Sequence, residues 1–221
     1  IATGTAYQRS VRLNGGDTVL NVINAVAGRG GAFCYSQPQV GAKTICLEVW
    51  NAEEAFKLIQ RGRATIVLLA PAQLAMMVRD PGLGNYDLSS LRCIACSTAP
   101  LSEELIIEAE SKLKVPVLNS YGMFDGGCVS GVTIADDAET RHKTMGKPYP
   151  EVEIKIIDDE GNEVPAGQDG ELIFRGPCTT AGYYRDMERT LEAWGTLGKD
   201  GWFHSGDIVK MDKNGNLVIS G

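Results

Sequence analysis

The sequence predicts an α/β protein, a parallel-sheet α/β subdomain followed by a small, mostly antiparallel β subdomain. Three observations carry that expectation. From about residue 18 to 119, strand-like apolar runs alternate with amphipathic helical ones, the pattern of a parallel sheet covered by helices. After about residue 145 the texture changes to short alternating segments separated by turn residues. Gly146, Pro148 and Pro150 interrupt any periodic element between the two, so the division is expected at 1–145 and 146–221.

The elements follow in order. Asn51 and Glu54 have the spacing of an N-cap and capping box, and Ala52, Ala55, Phe56 and Ile59 repeat at i, i+3, i+4, i+7 behind them. Residues 64–70 (ATIVLLA) read as a buried strand, and Pro71 as the first helical position of a segment carrying Leu74, Met77 and Val78 inward. Residues 92–97 form the next expected strand. Ser102 then caps a helix with Ile106, Ala109 and Leu113 inward, and a strand is expected at 115–119. In the second part Val152, Ile154 and Ile156 alternate with Glu153 and Lys155, residues 158–161 make a turn, and 172–174 and 217–219 read as further strands.

Composition narrows the function. The chain is 43% hydrophobic and 22% charged, and no apolar run approaches the roughly 20 residues of a membrane-spanning helix. A formal net charge of -7, with no Lys/Arg cluster to reverse it locally, argues against nucleic acid as a partner. The 6 cysteines lie among apolar neighbours and no export signal precedes them, which points to reduced thiols and a cytoplasmic setting. Cys93 and Cys96 form a C-x-x-C, but on a strand i and i+3 face opposite ways, so buried small residues are expected there rather than metal ligands. The opening at Ile1, without an initiator Met, is read as the start of a piece of a longer polypeptide.

Several motifs fail. Gly28, Gly30 and Phe33 lack the third glycine of a dinucleotide fingerprint. Gly41-Ala42-Lys43-Thr44 has the tail of a phosphate loop, but Ser36 stands where its first glycine belongs. There is no G-x-S-x-G, and His142 and His204 are the only histidines available to a nucleophile.

Three others stand in order: Ser97-Thr98-Ala99-Pro100-Leu101-Ser102, Asn119-Ser120-Tyr121-Gly122-Met123-Phe124-Asp125-Gly126-Gly127, and Asp200-Gly201-Trp202-Phe203-His204-Ser205-Gly206-Asp207. Between the last two lie Met145-Gly146-Lys147-Pro148, Gly170-Glu171-Leu172-Ile173-Phe174-Arg175-Gly176-Pro177 and Gly182-Tyr183-Tyr184. The ordered set resembles the adenylate-forming superfamily of acyl- and aryl-CoA synthetases, luciferases and peptide-synthetase adenylation domains. The likeness covers essentially the whole chain and is specific from about residue 91 onward.

The resemblance implies a central piece of the family's large N-terminal domain, from a parent that joins a carboxylic acid to the α-phosphate of ATP and passes the acyl group from AMP to a thiol. ATP, Mg²⁺ and coenzyme A are the implied co-substrates, and the rest of the parent polypeptide the implied partner. The backbone at Ser97, Thr98 and Ala99 would border the adenine, Tyr121 would stack on it with Gly122 beside it, and Asp207 would accept from both ribose hydroxyls. Trp202 and His204 would pack and fix the loop. No catalytic residue is implied within the chain.

Two departures stand out. The family pattern Tyr-Gly-x-Thr-Glu places a Thr hydroxyl on the α-phosphate and a Glu on Mg²⁺; here those positions are Phe124 and Asp125. Phe124 donates no hydrogen bond, whereas Asp125 keeps the charge on a shorter stem, so metal binding is expected to survive and the phosphate contact to be lost. The family's phosphate loop and its C-terminal lid, with a catalytic Lys beyond the hinge that would start at Gly221, are expected outside this sequence, so the chain alone is expected to be inactive. The acyl pocket is expected along Ala25, Gly30, Gly126 and Gly127, small residues that suit a ring-bearing or medium-chain acid. The alternative is a non-catalytic relative that keeps a nucleotide or acyl site.

Overall fold

The computed structural model describes residues 2–23, 35–195 and 201–220. The expected pocket residues Ala25 and Gly30, and the imperfect fingerprint at 28–33, lie outside the described residues. The chain divides into two compact units: Thr3–Asn119 with Thr133–His142, and Ser120–Val132 with Lys143–Gly221. Residues 120–132, assigned from sequence to the first subdomain, therefore pack with the second.

The first unit is the expected parallel α/β structure. After helix α1 (Ala2–Val11) come β1 (Thr18–Asn21), β2 (Lys43–Cys46), α2 (Ala52–Gly62), β3 (Ile66–Leu69), α3 (Pro71–Arg79), β4 (Cys93–Cys96), α4 (Glu103–Leu113) and the start of β5 (Val117–Met123). The strands lie in the order β2-β1-β3-β4-β5, every neighbour parallel. β1, β3 and β4 are buried at every position, which is why they read as unbroken apolar runs rather than alternations.

The helices follow their caps. Asn51 Oδ1 accepts from Glu54 N at 2.9 Å, and Ala52, Ala55, Phe56 and Ile59 are the buried face of α2. Leu74, Met77 and Val78 face inward on α3 as expected. On α4 the buried face is Leu105, Ile106 and Ala109, and Leu113 is only partly buried, because the helix ends there at the left-handed cap Lys114. Phe56, Ile59, Leu74, Met77 and Ile106 pack with Val67, Leu69 and Ile94 in one apolar core.

The C-x-x-C is buried in β4, and burial raises the Cys93 thiol to about 12, so it is inert at neutral pH. Among the described residues no three His, Cys, Asp or Glu side chains gather as a metal site, and no helix is long and apolar enough to cross a membrane.

Two polar clusters fix the ends of the first unit's strands. Asp17, 3% exposed, accepts from Arg92 Nε and Nη2, each at 2.7 Å, from Thr65 Oγ1 at 2.7 Å and from Asn14 N at 3.0 Å. Residues 17, 65 and 92 immediately precede β1, β3 and β4, so one carboxylate ties the starts of three parallel strands. Glu110 accepts from Arg141 Nε at 3.0 Å and from His142 at 2.8 Å, both on the short helix α5 (Ala138–Lys143), and from Val117 N at 2.9 Å, and so pins the beginning of β5.

The second unit starts where β5 leaves β4 and pairs antiparallel with β6 (Gly127–Gly131), followed by β7 (Lys147–Pro148). A four-stranded antiparallel sheet, ordered β11-β10-β9-β8, is built from β8 (Glu153–Ile157), β9 (Gly170–Arg175), β10 (Phe203–Met211) and β11 (Leu217–Ile219). The expected strands 172–174 and 217–219 are both present, but β10, which carries the third motif, did not stand out as a strand in the sequence. Helix α6 (Met187–Trp194) also went unread, although Asp186 caps it by accepting from Arg189 N at 3.1 Å and Gly195 closes it.

Burial alone would raise the Asp17 carboxyl, but donation from Arg92, Thr65 and the Asn14 amide outweighs it and holds the group below the usual carboxylate range. Its folded pKa therefore lies below the unfolded value of about 3.9. The stabilisation is complete above that pH and is lost as pH falls through the folded value. Asp17→Asn should cost about 2–3 kcal/mol at pH 7, by urea denaturation, with the deficit shrinking below pH ~4. A deficit independent of pH would contradict the assignment.

Candidate functional site

The second unit brings Tyr121, Gly122, Asp125, Gly126, Gly127 and Asp207 together. Tyr121 stands on β5, where the ladder to β6 shifts register: Tyr121 pairs with Ser130 but Gly122 with Cys128, leaving Val129 as an extra residue. The phenol is partly buried and donates its hydrogen bond to Asp207 Oδ2. Burial first, then the bond to Asp207, pushes the phenol well above the ordinary tyrosine range, against a smaller opposing effect of the Ser205 hydroxyl. Tyr121 is thus a neutral donor at any physiological pH. No donor among the described residues reaches Asp207 Oδ1, so one carboxylate oxygen is free to accept from a ligand.

Asp207 sits in a second irregularity. On β10, His204 pairs with Ile173 and Ile208 with Glu171, so Ser205, Gly206 and Asp207 oppose the single residue Leu172. Ser205 Oγ donates to Leu172 O at 2.6 Å and accepts from Asp207 N at 3.1 Å. Gly206 takes φ +71, a left-handed conformation glycine adopts freely, and donates its N–H to Glu171 Oε1 at 3.1 Å. The other Glu171 oxygen meets His204 Nδ1 at 3.1 Å. His204 is thus tied, in line with the loop-fixing role expected for it, to the same carboxylate that holds Gly206, and Glu171 is the residue that links the two.

Asp125 follows in the turn after β5. Its Oδ2 accepts from Tyr183 Oη at 2.7 Å, and its backbone oxygen accepts from Thr180 Oγ1 at 2.7 Å. That hydrogen bond to Asp125, reinforced by desolvation, raises the Tyr183 phenol. Tyr183 is held in turn by an aromatic chain: its ring meets Trp194 of α6 edge-on at 5.5 Å, Trp194 meets Phe203 at 4.7 Å, and Phe203 meets Phe174 at 5.3 Å. A polar cleft of about 590 Å³ opens beside Asp125, lined by Tyr183, Arg189, His204, Ser205 and Gly206 among others. Mg²⁺ prefers oxygen ligands, keeps several waters and takes one or two carboxylates beside phosphate oxygens. The single Asp125 oxygen left without a donor among the described residues fits that demand. Phe124, 70% exposed, offers no polar group where the family pattern has a hydroxyl.

Two expected pocket residues are small for another reason. A Cβ on Gly126 would lie 2.4 Å from Phe174 Cζ, and one on Gly127 would lie 2.2 Å from Cys178 O. The room beside both is filled by the protein itself, so any contact they make with an acyl group is through backbone.

Ser97, Thr98 and Ala99 belong to the first unit, at the C-terminal end of β4. Ser97 is buried and its hydroxyl has no hydrogen-bond partner among the described residues, while Thr98 is held at φ 83. Unpaired buried hydroxyls and left-handed β-branched residues both cost free energy, and both occur at ligand-facing turns.

A family model described as AMP-binding enzyme matches residues 1–184. The chain belongs to this family of adenylate-forming enzymes. Indoleacetate–CoA ligase of Aromatoleum aromaticum is 33% identical over 181 residues, covering 82% of this chain and 34% of that protein. 4-Coumarate–CoA ligase 2 of Nicotiana tabacum is 32% identical over 186 residues, again 82% of this chain and 34% of the relative. The structure of the amide bond synthetase McbA from Marinactinospora thermotolerans superposes with a TM-score of 0.88 at 31% identity, covering 99% of this chain and 44% of that one. The chain therefore spans about a third of the length of the curated relatives it matches.

Gly127 and Gly161 have nearly equal φ, +85 and +82, but only Gly127 meets backbone, since Gly161 has nothing within 4 Å. Gly161→Ala should cost about 1 kcal/mol of unfolding free energy for the left-handed backbone alone. Gly127→Ala should cost roughly 3 kcal/mol or more, because Cys178 must also move. Equal losses in denaturant unfolding would show that the turn at 127 can relax away from Cys178.

Proposed function

We propose that this chain is the adenosine-facing part of an ATP-dependent acid–thiol ligase. The parent would activate an organic acid as acyl-AMP and transfer it to the thiol of coenzyme A. The single observation that carries the reading is the pairing of Tyr121 with Asp207, the two motif positions to which the family assigns adenine and ribose. CoA ligases among the relatives support the same class.

The chemistry asks for alignment and charge control, because a carboxylate is a weak nucleophile approaching a polyanion. Tyr121 would offer its ring face to adenine, with Gly122 beside it contributing backbone only, since a Cβ there would lie 2.5 Å from Gly127 O on β6. Asp207 would accept from the ribose hydroxyls, its free Oδ1 available from the start and Oδ2 shared with the Tyr121 phenol. Ser97, Thr98 and Ala99 keep the nucleotide-facing role of the resemblance, supported within their own unit by the unpaired Ser97 hydroxyl and the positive φ of Thr98. Asp125 would hold Mg²⁺, which when bound supplies neutralising charge to the phosphates. Tyr183 keeps the Asp125 carboxylate in one orientation. The acid is proposed to bear a ring or a medium chain, in line with relatives named for indoleacetate and 4-coumarate.

Phe124 favours a second reading, a relative that binds nucleotide without turning it over. Pyrophosphate release separates the two. The polypeptide carrying this segment should release pyrophosphate with at least one aryl or medium-chain acid, and the 221-residue chain alone should release none. Asp207→Ala should lower kcat/KM for ATP by about 10–100-fold, the worth of one or two charge-assisted hydrogen bonds. Phe124→Thr should raise it. No release with any acid would favour the binding protein, and an unaltered Asp207→Ala enzyme would remove the ribose assignment.

A further inference from the structure

An antiparallel ladder tolerates an extra residue only if the backbone groups it displaces find other partners. At β10 three residues oppose one, so the disruption is larger than in a single-residue bulge. Side chains repair it. Ser205 Oγ occupies the place of a ladder donor for Leu172 O and of an acceptor for Asp207 N, at 2.6 and 3.1 Å. Glu171 Oε1 receives the Gly206 N–H at 3.1 Å, holding the left-handed glycine that turns the chain. Asp207 emerges from this construction with its carboxylate on the Tyr121 phenol. Without the bulge, regular alternation along β10 would set the direction of residue 207, and nothing would hold its backbone in place.

We infer that Glu171 and Ser205 are positioning residues for the nucleotide, which set the discrimination for a ribose bearing both hydroxyls by holding the bulge that aims Asp207. The inference rests on the ribose role proposed for Asp207. It also explains two polar side chains whose bonds run into the bulge rather than towards a ligand. Glu171 grips the bulge from the neighbouring strand, and Ser205 stitches it from within. Loss of either should leave the sheet folded, since the aromatic packing of Phe174, Phe203 and Trp194 lies beside the bulge and not in it.

The test compares ATP with 2′-deoxyATP and 3′-deoxyATP in pyrophosphate release by the polypeptide that carries this segment. Wild type, Glu171→Ala, Glu171→Gln, Ser205→Ala and Asp207→Ala would be assayed, and the melting temperature of each recorded. Wild type should prefer ATP, and Asp207→Ala should abolish the preference. Glu171→Ala and Ser205→Ala should raise the KM for ATP about tenfold while changing that for the deoxynucleotides less than about threefold. Glu171→Gln keeps an acceptor oxygen for the Gly206 amide and should restore most of the preference. A Glu171→Ala or Ser205→Ala enzyme that slows equally with all three nucleotides, or changes only in melting temperature, would overturn the positioning role and leave the ribose reading standing. An Asp207→Ala enzyme that still discriminates, or a wild type that never does, would overturn both.

Discussion

The hydrogen bond from the Tyr121 phenol to Asp207 joins two strands that share no ladder, since β5 pairs with β6 and β10 lies in the four-stranded sheet. A partly buried phenol must find an acceptor, and the carboxylate it finds is the one the sequence places after Ser205-Gly206. Each partner stands where its ladder is broken: Tyr121 faces the register shift at Val129, and Asp207 lies inside the three-against-one bulge. Regular pleating would send successive side chains to alternate faces, and both residues depart from that rhythm. Interruption of the sheets is thus what allows two side chains from separate ladders to converge.

The same logic extends to Asp125. Its carboxylate is one methylene shorter than the family's glutamate, and Tyr183 meets it across the turn. Tyr183 in turn leans on Trp194, whose helix is started by Asp186 and ended at Gly195. The polar groups at the cleft are therefore held by an aromatic stack running down to Phe174 in the sheet. A rigid apolar base beneath a small number of oriented polar groups is what a nucleotide-handling surface requires.

Much of the fold was legible because β1, β3 and β4 are buried at every position and helices α2, α3 and α4 carry plain caps; Asn51, Pro71 and Ser102 each sit where the residue type demands. The ordered motifs also picked out Tyr121 and Asp207 without structure. The bulge could not be read, because a register shift is a relation between two strands and leaves no periodic trace in either. Glu171 is invisible for the same reason: in sequence it is a polar residue on a strand, and its partners are 33 and 35 positions away. Gly126 and Gly127 show a different ambiguity. Smallness can make room for a ligand or for the protein, and here Phe174 and Cys178 take the space. Helix α6 was readable from Asp186 and Gly195, but its exposed Met187 and Leu191 blur the apolar stripe that would have marked it.

The claim that Tyr121 and Asp207 form an adenosine-facing surface is most directly tested by nuclear magnetic resonance. AMP titrated into the isotope-labelled chain should move the amide resonances of Tyr121, Gly122 and residues 205–208 together, with one saturation curve. The side-chain carboxyl signal of Asp207 should move with them. Binding that leaves those resonances unmoved while perturbing others, or no perturbation at any nucleotide concentration reached, would contradict the account.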